Sequence, residues 1–129
     1  MRKVLFICKS NINRSQQAEG FYNFLIKKNG AISAGIELEK DLQKPSEKCI
    51  KLMKEEGIDI SKQKSNLLNK NMLNNVKKIV VVCPKKFLPK YVLKFKNIEF
   101  WNIKDPCYYN MNERRKIREI IKNKVLKLK

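Results

Sequence analysis

The chain has 129 residues, with 30 Lys or Arg, 12 Asp or Glu and no His, so its formal net charge is +18. The absence of histidine excludes Ser-His-Asp triads, Cys-His pairs and His-liganded zinc sites. A hydrophobic fraction of 43% predicts one globular domain over residues 1–129. No apolar run reaches the ~18 residues that a membrane-spanning helix needs.

The lysines are distributed along the whole chain rather than clustered with aromatic residues. This distribution predicts a solvated basic surface with non-specific attraction to polyanions at low salt, and we expect no membrane partner. No export signal is recognisable, so we expect a cytoplasmic protein whose four cysteines are reduced thiols. Their spacing matches no metal-binding pattern, and we expect neither a metal nor another cofactor.

Strand-like and helix-like segments alternate along the chain. A uniformly apolar run predicts a buried strand over residues 3–7, and we expect further strands over 31–34, 79–83 and 98–101. Helical spacing predicts helices over 16–28, from Pro45 to before Gly57, over 67–73, over 90–94 and from about 112 onward. In the last helix we expect an apolar face formed by Ile117, Ile120, Ile121, Val125 and Leu128.

The order of these elements is β-α-β-α-α-β-α-β-α. Strands that alternate with helices pair in parallel through right-handed crossovers. The sequence therefore predicts an α/β, Rossmann-like fold in which helices cover both faces of a four-stranded parallel sheet, giving three α-β-α layers.

Several chemically active side chains follow predicted strand ends. Cys8 ends the first strand, Arg14 and Ser15 open the next helix, Cys83 ends the third strand and Asp105 follows the fourth. Ligands of open parallel sheets bind beyond the carboxyl ends of the strands. A loop and a helix N-terminus at that edge present N–H groups and partial positive charge to an anion. The pattern predicts an oxyanion cradle with a nucleophilic thiol at its floor.

The chain resembles the low-molecular-weight protein tyrosine phosphatase family, which includes the thioredoxin-coupled arsenate reductases. The resemblance covers nearly the whole chain and implies the family's phosphotyrosine phosphatase I-like fold. It rests on residues 4–8, Asn11, Arg14, Ser15, Ala18, Glu19, residues 33–35, residues 57–61, Asp105 and Pro106.

The resemblance implies a role for each matching residue. Cys8 would be the nucleophile, Arg14 would bind two substrate oxygens, and Asp105 would protonate the leaving group. The loop around the anion would comprise Lys9, Ser10, Asn11, Ile12, Asn13 and Ser15. The Ser15 hydroxyl would donate to the Cys8 thiolate, Asn11 and Ser33 would brace the loop, and Pro106 would stiffen the segment that carries the acid.

Two positions depart from the phosphatase pattern. The loop contains no glycine, so we expect Asn11 or Asn13 to take a positive φ at modest cost. Gln16 stands where the phosphatases usually have proline, and this Arg-Ser-Gln form is more similar to the arsenate-reductase branch.

These residues leave two enzymatic interpretations and one non-enzymatic one. A phosphatase would use Tyr108 and Tyr109 as walls for an aryl phosphate, with a phosphorylated protein or a small phosphoester as substrate. In an arsenate reductase, Cys83 or Cys107 would form a disulfide in a relay with Cys8, and a thioredoxin-like reductant would then reduce that disulfide. The two tyrosines favour the phosphatase. So does the set of cysteines, because the second resolving cysteine that a reductase would have a few residues after Cys83 is missing. An oxyanion-binding protein without turnover is the third interpretation.

Overall fold

The computed structural model describes residues 2–129, and its centre is a parallel sheet. Its strands are β1 (Val4–Cys8), β2 (Ala31–Gly35), β3 (Lys78–Val81) and β4 (Ile98–Phe100). Their order in the sheet is β2-β1-β3-β4, and all neighbouring pairs are parallel. The predicted four-stranded α/β fold is confirmed. β1 lies in the interior of the sheet, which explains why all five of its residues are buried.

Four helices cover the two faces of the sheet. They are α1 (Arg14–Leu25), α2 (Glu47–Lys54), α3 (Lys90–Leu93) and α4 (Met111–Leu126). Helices α1, α2 and α4 pack on one face around Phe6 and Phe21. On the other face, α3 and a 3-10 segment cover Leu5 and Ile7. None of the helices within residues 2–129 is long and apolar enough to cross a membrane.

The structure corrects several predicted boundaries. Helix α1 begins two residues earlier than predicted and ends at Leu25, three residues before the predicted end. Helix α2 begins at Glu47 rather than at Pro45, because the Ser46 side chain caps it by accepting a hydrogen bond from the backbone N–H of Cys49.

Two further predictions are wrong: one on the type of a helical segment and one on the burial of a residue in α4. The predicted helix over residues 67–73 is instead a 3-10 segment, Lys70–Asn75, with no buried residue. Ile120 was expected on the apolar face of α4, but 47% of its surface is exposed. The remaining members of that face are buried or packed against the core.

The carboxyl ends of the strands lie together at one edge of the sheet. Cys8 is paired with Gly35 in the register of β1 and β2. The backbone N–H of Val82 donates to the carbonyl oxygen of Ile7 across the β1–β3 pair. Cys8 and Cys83 therefore leave neighbouring strands at the same edge.

Candidate active site

The loop between β1 and α1 turns sharply at Asn11, whose φ is 57°. Asparagine tolerates this left-handed conformation better than other non-glycine residues. Of the two candidates in the sequence, Asn11 takes the positive φ and Asn13 does not. The loop can therefore curl around its centre without a glycine of its own.

The glycine that this loop requires is supplied by the neighbouring strand. A Cβ atom at Gly35 would lie 2.9 Å from the carbonyl oxygen of Lys9 and 3.0 Å from the backbone nitrogen of Asn11. Side-chain carbon atoms essentially never approach so closely, so only glycine at the end of β2 lets the loop pass. Gly35 thus determines the path of the loop from outside it.

The sulfur of Cys8 lies at the floor of the loop and has polar neighbours on two sides. The backbone N–H of Asn11 donates to Sγ at 3.2 Å, and the Ser15 hydroxyl lies 2.8 Å from it. Because Asn11 Nδ2 donates to Ser15 Oγ at 2.6 Å, the hydroxyl proton of Ser15 is free to point at the sulfur. Both contacts stabilise a thiolate.

The side chain of Asn11 connects this site to a second strand. Its other Nδ2 proton is donated to Ser33 Oγ at 2.9 Å, and the Ser33 hydroxyl in turn donates to Glu19 Oε1 at 2.7 Å. Burial raises the pKa of Glu19, and the hydrogen bond from Ser33 opposes that rise. Glu19 thus terminates a chain of hydrogen bonds that begins at Cys8.

Further residues brace the backbone of the loop. The side chains of Gln16 and Ser65 both donate to the carbonyl oxygen of Asn11, at 2.9 and 2.8 Å, and the backbone N–H of Asn66 donates to Asn11 Oδ1 at 2.8 Å. Sequence reasoning assigned no role to Glu19, Ser65 or Asn66. Only the Ala18-Glu19 pair within the family resemblance could have pointed to one of them.

Arg14 is held in place by the ends of two strands. Its Nη1 donates to the carbonyl oxygens of Val82 at 2.8 Å and Ile103 at 3.0 Å, while Nη2 lies 3.7 Å from Asp105 Oδ2. Nε and Nη2 make no hydrogen bond to other described residues, and they form one edge of the guanidinium. That edge can bind two oxygens of an anion as a fork.

Asp105 enters the site on a short, stiff turn. Its carboxylate accepts a hydrogen bond from the backbone N–H of Cys107 at 3.0 Å, and Pro106 is the buried first residue of a 3-10 turn. Arg114 holds the end of this segment by donating to the carbonyl oxygen of Tyr109 at 2.9 Å. The carboxylate therefore has a fixed position beside Arg14.

The loop and the turn enclose a small cavity above Cys8. Its volume is about 140 Å³, and it is lined by Cys8, Lys9, Ser10, Asn11, Ile12, Asn13, Arg14, Glu39, Asp105 and Cys107. It is smaller than the 300–1,000 Å³ or so of a pocket for a drug-sized ligand. A tetrahedral oxyanion is of a suitable size and charge for this cavity.

The two predicted aromatic walls do not belong to this cavity. Tyr108 is 82% exposed, whereas Tyr109 packs against the core and lies beneath the ammonium group of Lys104. Neither ring lines the space above Cys8. The structure thus offers no aromatic slot at the cavity.

The other thiols occupy different environments. Burial and, to a smaller extent, the charge of nearby Cys8 raise the pKa of Cys83 to about 11, and the charge of Arg14 opposes this rise. Burial raises the pKa of Cys49 to about 12, and its thiol donates to the carbonyl oxygen of Asn13. Cys107 is exposed at the cavity rim, and partial burial followed by Asp105 raises its pKa.

Together, the parallel sheet, the thiol beneath the loop and the small cavity above it form an arrangement that suits a cysteine-dependent enzyme for a tetrahedral oxyanion. No three His, Cys, Asp or Glu side chains within residues 2–129 converge as a metal site would require. Residues 3–129 match the family model described as low molecular weight phosphotyrosine protein phosphatase, and the chain belongs to this family.

Relatives within the family indicate which branch it resembles. The chain is 35% identical over 130 residues to a protein named arsenate reductase 2 of Staphylococcus haemolyticus, covering 96% of this chain and 93% of that one. A solved structure titled an arsenate reductase in the phosphate binding state superposes with a TM-score of 0.85 at 31% identity. That match covers 99% of this chain and 96% of the other.

Tyrosine phosphatases share the fold at a greater distance in sequence. A tyrosine phosphatase of Erwinia amylovora superposes with a TM-score of 0.81 but only 19% identity, over 98% of this chain and 89% of that one. The prediction that phosphatase activity is the main function is therefore wrong. The error had two sources: Tyr108 and Tyr109, which do not line the cavity, and the weight given to the incomplete set of resolving cysteines as evidence against a reductase.

Proposed function

We propose that this protein reduces arsenate to arsenite, with Cys8 as the nucleophile. The observation that carries the proposal is the Cys8 sulfur, which has two polar hydrogen-bond partners at the floor of a 140 Å³ cavity sized for a bare oxyanion. The arsenate reductases to which the chain is 33–36% identical over nearly its full length support the choice of arsenate.

The oxyanion would be held by the loop and by Arg14. Backbone N–H groups of the loop and the Nε–Nη2 edge of Arg14 supply donors that strengthen as negative charge develops on the oxygens. Because Nη1 is fixed by two carbonyl oxygens, the fork is already oriented before the substrate arrives. This preorganisation lowers the cost of binding the transition state.

The first chemical step would be substitution at arsenic. The Cys8 thiolate forms a bond to arsenic while one arsenate oxygen departs, and Asp105 donates the proton with which that oxygen leaves as water. Arsenic remains As(V) in this step. The distance of 3.7 Å between Arg14 Nη2 and Asp105 Oδ2 supports this role, because the carboxylate lies next to the side chain that would bind the oxyanion.

The second step would be the reduction itself, with Cys83 as the resolving thiol. The Cys83 sulfur, once deprotonated, bonds to the Cys8 sulfur, the S–As bond breaks, and its electron pair stays on arsenic to give arsenite and a Cys8–Cys83 disulfide. The raised pKa of Cys83 has burial as its main cause and the Cys8 charge as a smaller one. Cys83 therefore has to lose its proton before it attacks the Cys8 sulfur.

A single-turnover assay without added reductant tests this proposal. We expect each protein molecule to form about one arsenite, with the Cys8–Cys83 disulfide found by peptide mapping. Cys8→Ser should form none. Cys83→Ser should lose at least about 90% of the arsenite, whereas Cys107→Ser, which removes the exposed thiol at the rim, should form as much as the unmodified protein.

Two outcomes would contradict the proposal in different ways. No arsenite from the unmodified protein would remove the activity itself. Arsenite formation that depends on Cys107 and not on Cys83 would keep the activity but reassign the resolving thiol to the turn that carries Asp105.

A further inference from the structure

A Cys8–Cys83 disulfide has to be reduced before another turnover, and the chain offers no suitable internal thiol. Cys49 is fully buried behind the loop, with its pKa raised to about 12. Cys107 lies above Cys8, so its attack would be on the Cys8 sulfur and would expel Cys83, whose thiol has a pKa of about 11. Thiolates that are poorly stabilised leave slowly, so the second exchange requires an external thiol.

The favourable direction of that exchange is attack on Cys83. The departing thiolate is then Cys8, which the Asn11 N–H and the Ser15 hydroxyl stabilise. An external thiol must therefore reach the Cys83 sulfur from a side other than the oxyanion cavity.

A separate groove provides that access. It has a volume of about 480 Å³ and is lined by Arg14, Val82, Cys83, Pro84, Lys85, Phe100, Trp101, Asn102 and Ile103. Arg14 lines both this groove and the oxyanion cavity, whereas Cys83 lines the groove only. An external thiol in the groove can therefore approach the resolving thiol without entering the oxyanion cavity.

The lining of the groove is basic and aromatic, with no acidic side chain. The ammonium group of Lys85 lies over the Phe100 ring, 6.0 Å from its centroid, and 45% of Phe100 is exposed. The Lys85 cation complements a carboxylate, and the exposed Phe100 ring beside it can pack against the rest of a small ligand.

Resting on the arsenate reductase function proposed above, we propose that this groove binds a carboxylate-bearing low-molecular-weight thiol that reduces the Cys8–Cys83 disulfide. The bound thiolate attacks the Cys83 sulfur, a mixed disulfide forms and the Cys8 thiolate departs. A second molecule of the thiol attacks the sulfur of the first one in the mixed disulfide. The two small thiols leave together as an oxidised dimer, and Cys83 is restored as a thiol.

The size and depth of the groove favour a small thiol over a protein dithiol. A volume of 480 Å³ is within the range of pockets for small ligands. Cys83 is only 7% exposed and lines this groove, so a thiol on the surface of another protein has little of the Cys83 side chain to contact. A molecule of tripeptide size is small enough for a space of this volume.

Binding can be measured without any chemistry, because Trp101 is the only tryptophan in the chain and it lines the groove. S-methylglutathione, a tripeptide that carries carboxylates but has no free thiol, serves as the probe in a titration of the reduced protein. We expect a saturable change in Trp101 fluorescence. Lys85→Glu should weaken binding about fivefold or more, because it replaces attraction by repulsion, and Lys85→Gln should have an intermediate effect.

Lys86→Glu is the matched control. It makes the same charge change one residue further along the same 3-10 turn, but the Lys86 ammonium group lies over Phe87 and the residue does not line the groove. The affinity of Lys86→Glu for S-methylglutathione should stay within about twofold of the value for the unmodified protein. Equal losses in Lys85→Glu and Lys86→Glu, or no saturable signal at all, would overturn the proposed site.

The exchange itself is tested on protein oxidised with diamide, so that the result does not depend on arsenate. Glutathione should reduce the Cys8–Cys83 disulfide with saturation kinetics, and the mixed disulfide should map to Cys83. Neutral 2-mercaptoethanol and cationic cysteamine, compared at equal thiolate concentration, should react without saturation. Lys85→Glu should slow glutathione about fivefold or more and slow mercaptoethanol less, because the mercaptoethanol thiolate lacks the carboxylates that the new Glu would also repel.

The two proposals fail separately. Arsenite formation in the single-turnover assay together with equal rates for all three thiols keeps the reductase and rejects the groove. Saturable, Lys85-dependent reduction by glutathione without arsenite formation keeps the groove and rejects the reductase.

Discussion

Cys8 and Cys83 leave neighbouring parallel strands at the same edge of the sheet, yet their chemistry differs. The Cys8 sulfur has the Asn11 N–H and the Ser15 hydroxyl as polar neighbours, although only 3% of the residue is exposed. Cys83 is buried to a similar degree, and among residues 2–129 no side chain donates a hydrogen bond to its sulfur. Burial consequently raises its pKa to about 11.

In a chain without histidine, this difference lies in the hydrogen-bond donors that surround each sulfur. Position at a strand end and burial are shared by both residues, so neither is sufficient. The chain that follows Cys8 curls back and directs donors at the sulfur, whereas the chain after Cys83 continues into Pro84 and a 3-10 turn. Proline has no N–H to donate, so the strand end at Cys83 lacks a comparable cradle.

The largest expected effect is a difference in alkylation between the two thiols. With a pKa of about 11, about one Cys83 in 10⁴ is a thiolate at pH 7. Because its pKa is raised, the reactive form should increase about tenfold per pH unit between pH 7 and 9. Iodoacetamide labelling followed by peptide mass spectrometry should show Cys83 reacting at least about 100-fold more slowly than Cys8 at pH 7. Comparable alkylation rates at pH 7 would contradict the expected difference between the two thiols.

A second prediction concerns the side chain that supports the Cys8 loop. Asn11→Gly keeps the positive φ accessible but removes the hydrogen bonds to Ser15, Ser33 and the backbone N–H of Asn66. We expect the free energy of unfolding in urea to fall by about 2 kcal/mol or more, because buried partners lose their bonds.

Asn29→Gly is the control for that variant. Asn29 also has a positive φ, of 59°, but its side chain is exposed and makes no hydrogen bond. Its replacement should change the free energy of unfolding by no more than about 0.5 kcal/mol. Similar losses at both positions would mean that backbone conformation, and not the Asn11 side chain, supports the loop.

The smallest expected effect is on the direct partner of the sulfur. Ser15→Ala removes the hydroxyl 2.8 Å from Cys8 Sγ and leaves the Asn11 N–H in place. We expect alkylation of Cys8 at pH 6 to slow by about tenfold, since one charge-assisted hydrogen bond contributes roughly 1.5 kcal/mol. The alkylation rate of Cys83 in the same sample should not change, and a parallel change there would indicate a general disturbance of the fold.

The sequence predicted the arrangement of the sheet well because the signal is local. Uniformly apolar strands and periodic helices determine which segments are buried, and their alternation determines parallel pairing. It also placed Cys8, Arg14 and Asp105 at one edge, and the structure brings all three to the same cavity. Their roles in the reaction remain proposals with the tests given above.

Local pattern was misleading where a residue's surroundings come from distant segments. Tyr108 and Tyr109 lie three and four residues after Asp105 in the sequence, but neither lines the cavity above Cys8. The resulting preference for a phosphatase was wrong. The groove at Cys83 likewise has no sequence signature, because it combines residues that follow β3 with residues around the end of β4.

By itself, the sequence determined the parallel α/β sheet, the thiol at the end of β1 and the lack of a histidine to activate it. Only the tertiary structure decided how the glycine-free loop is held, through Gly35 on the next strand, Glu19 beyond Ser33, and Ser65 and Asn66. The physical reason is the separation in sequence between the residues that interact. The periodicity of a strand or helix is visible in consecutive residues, whereas the hydrogen bond between Asn11 and Asn66 joins residues 55 positions apart.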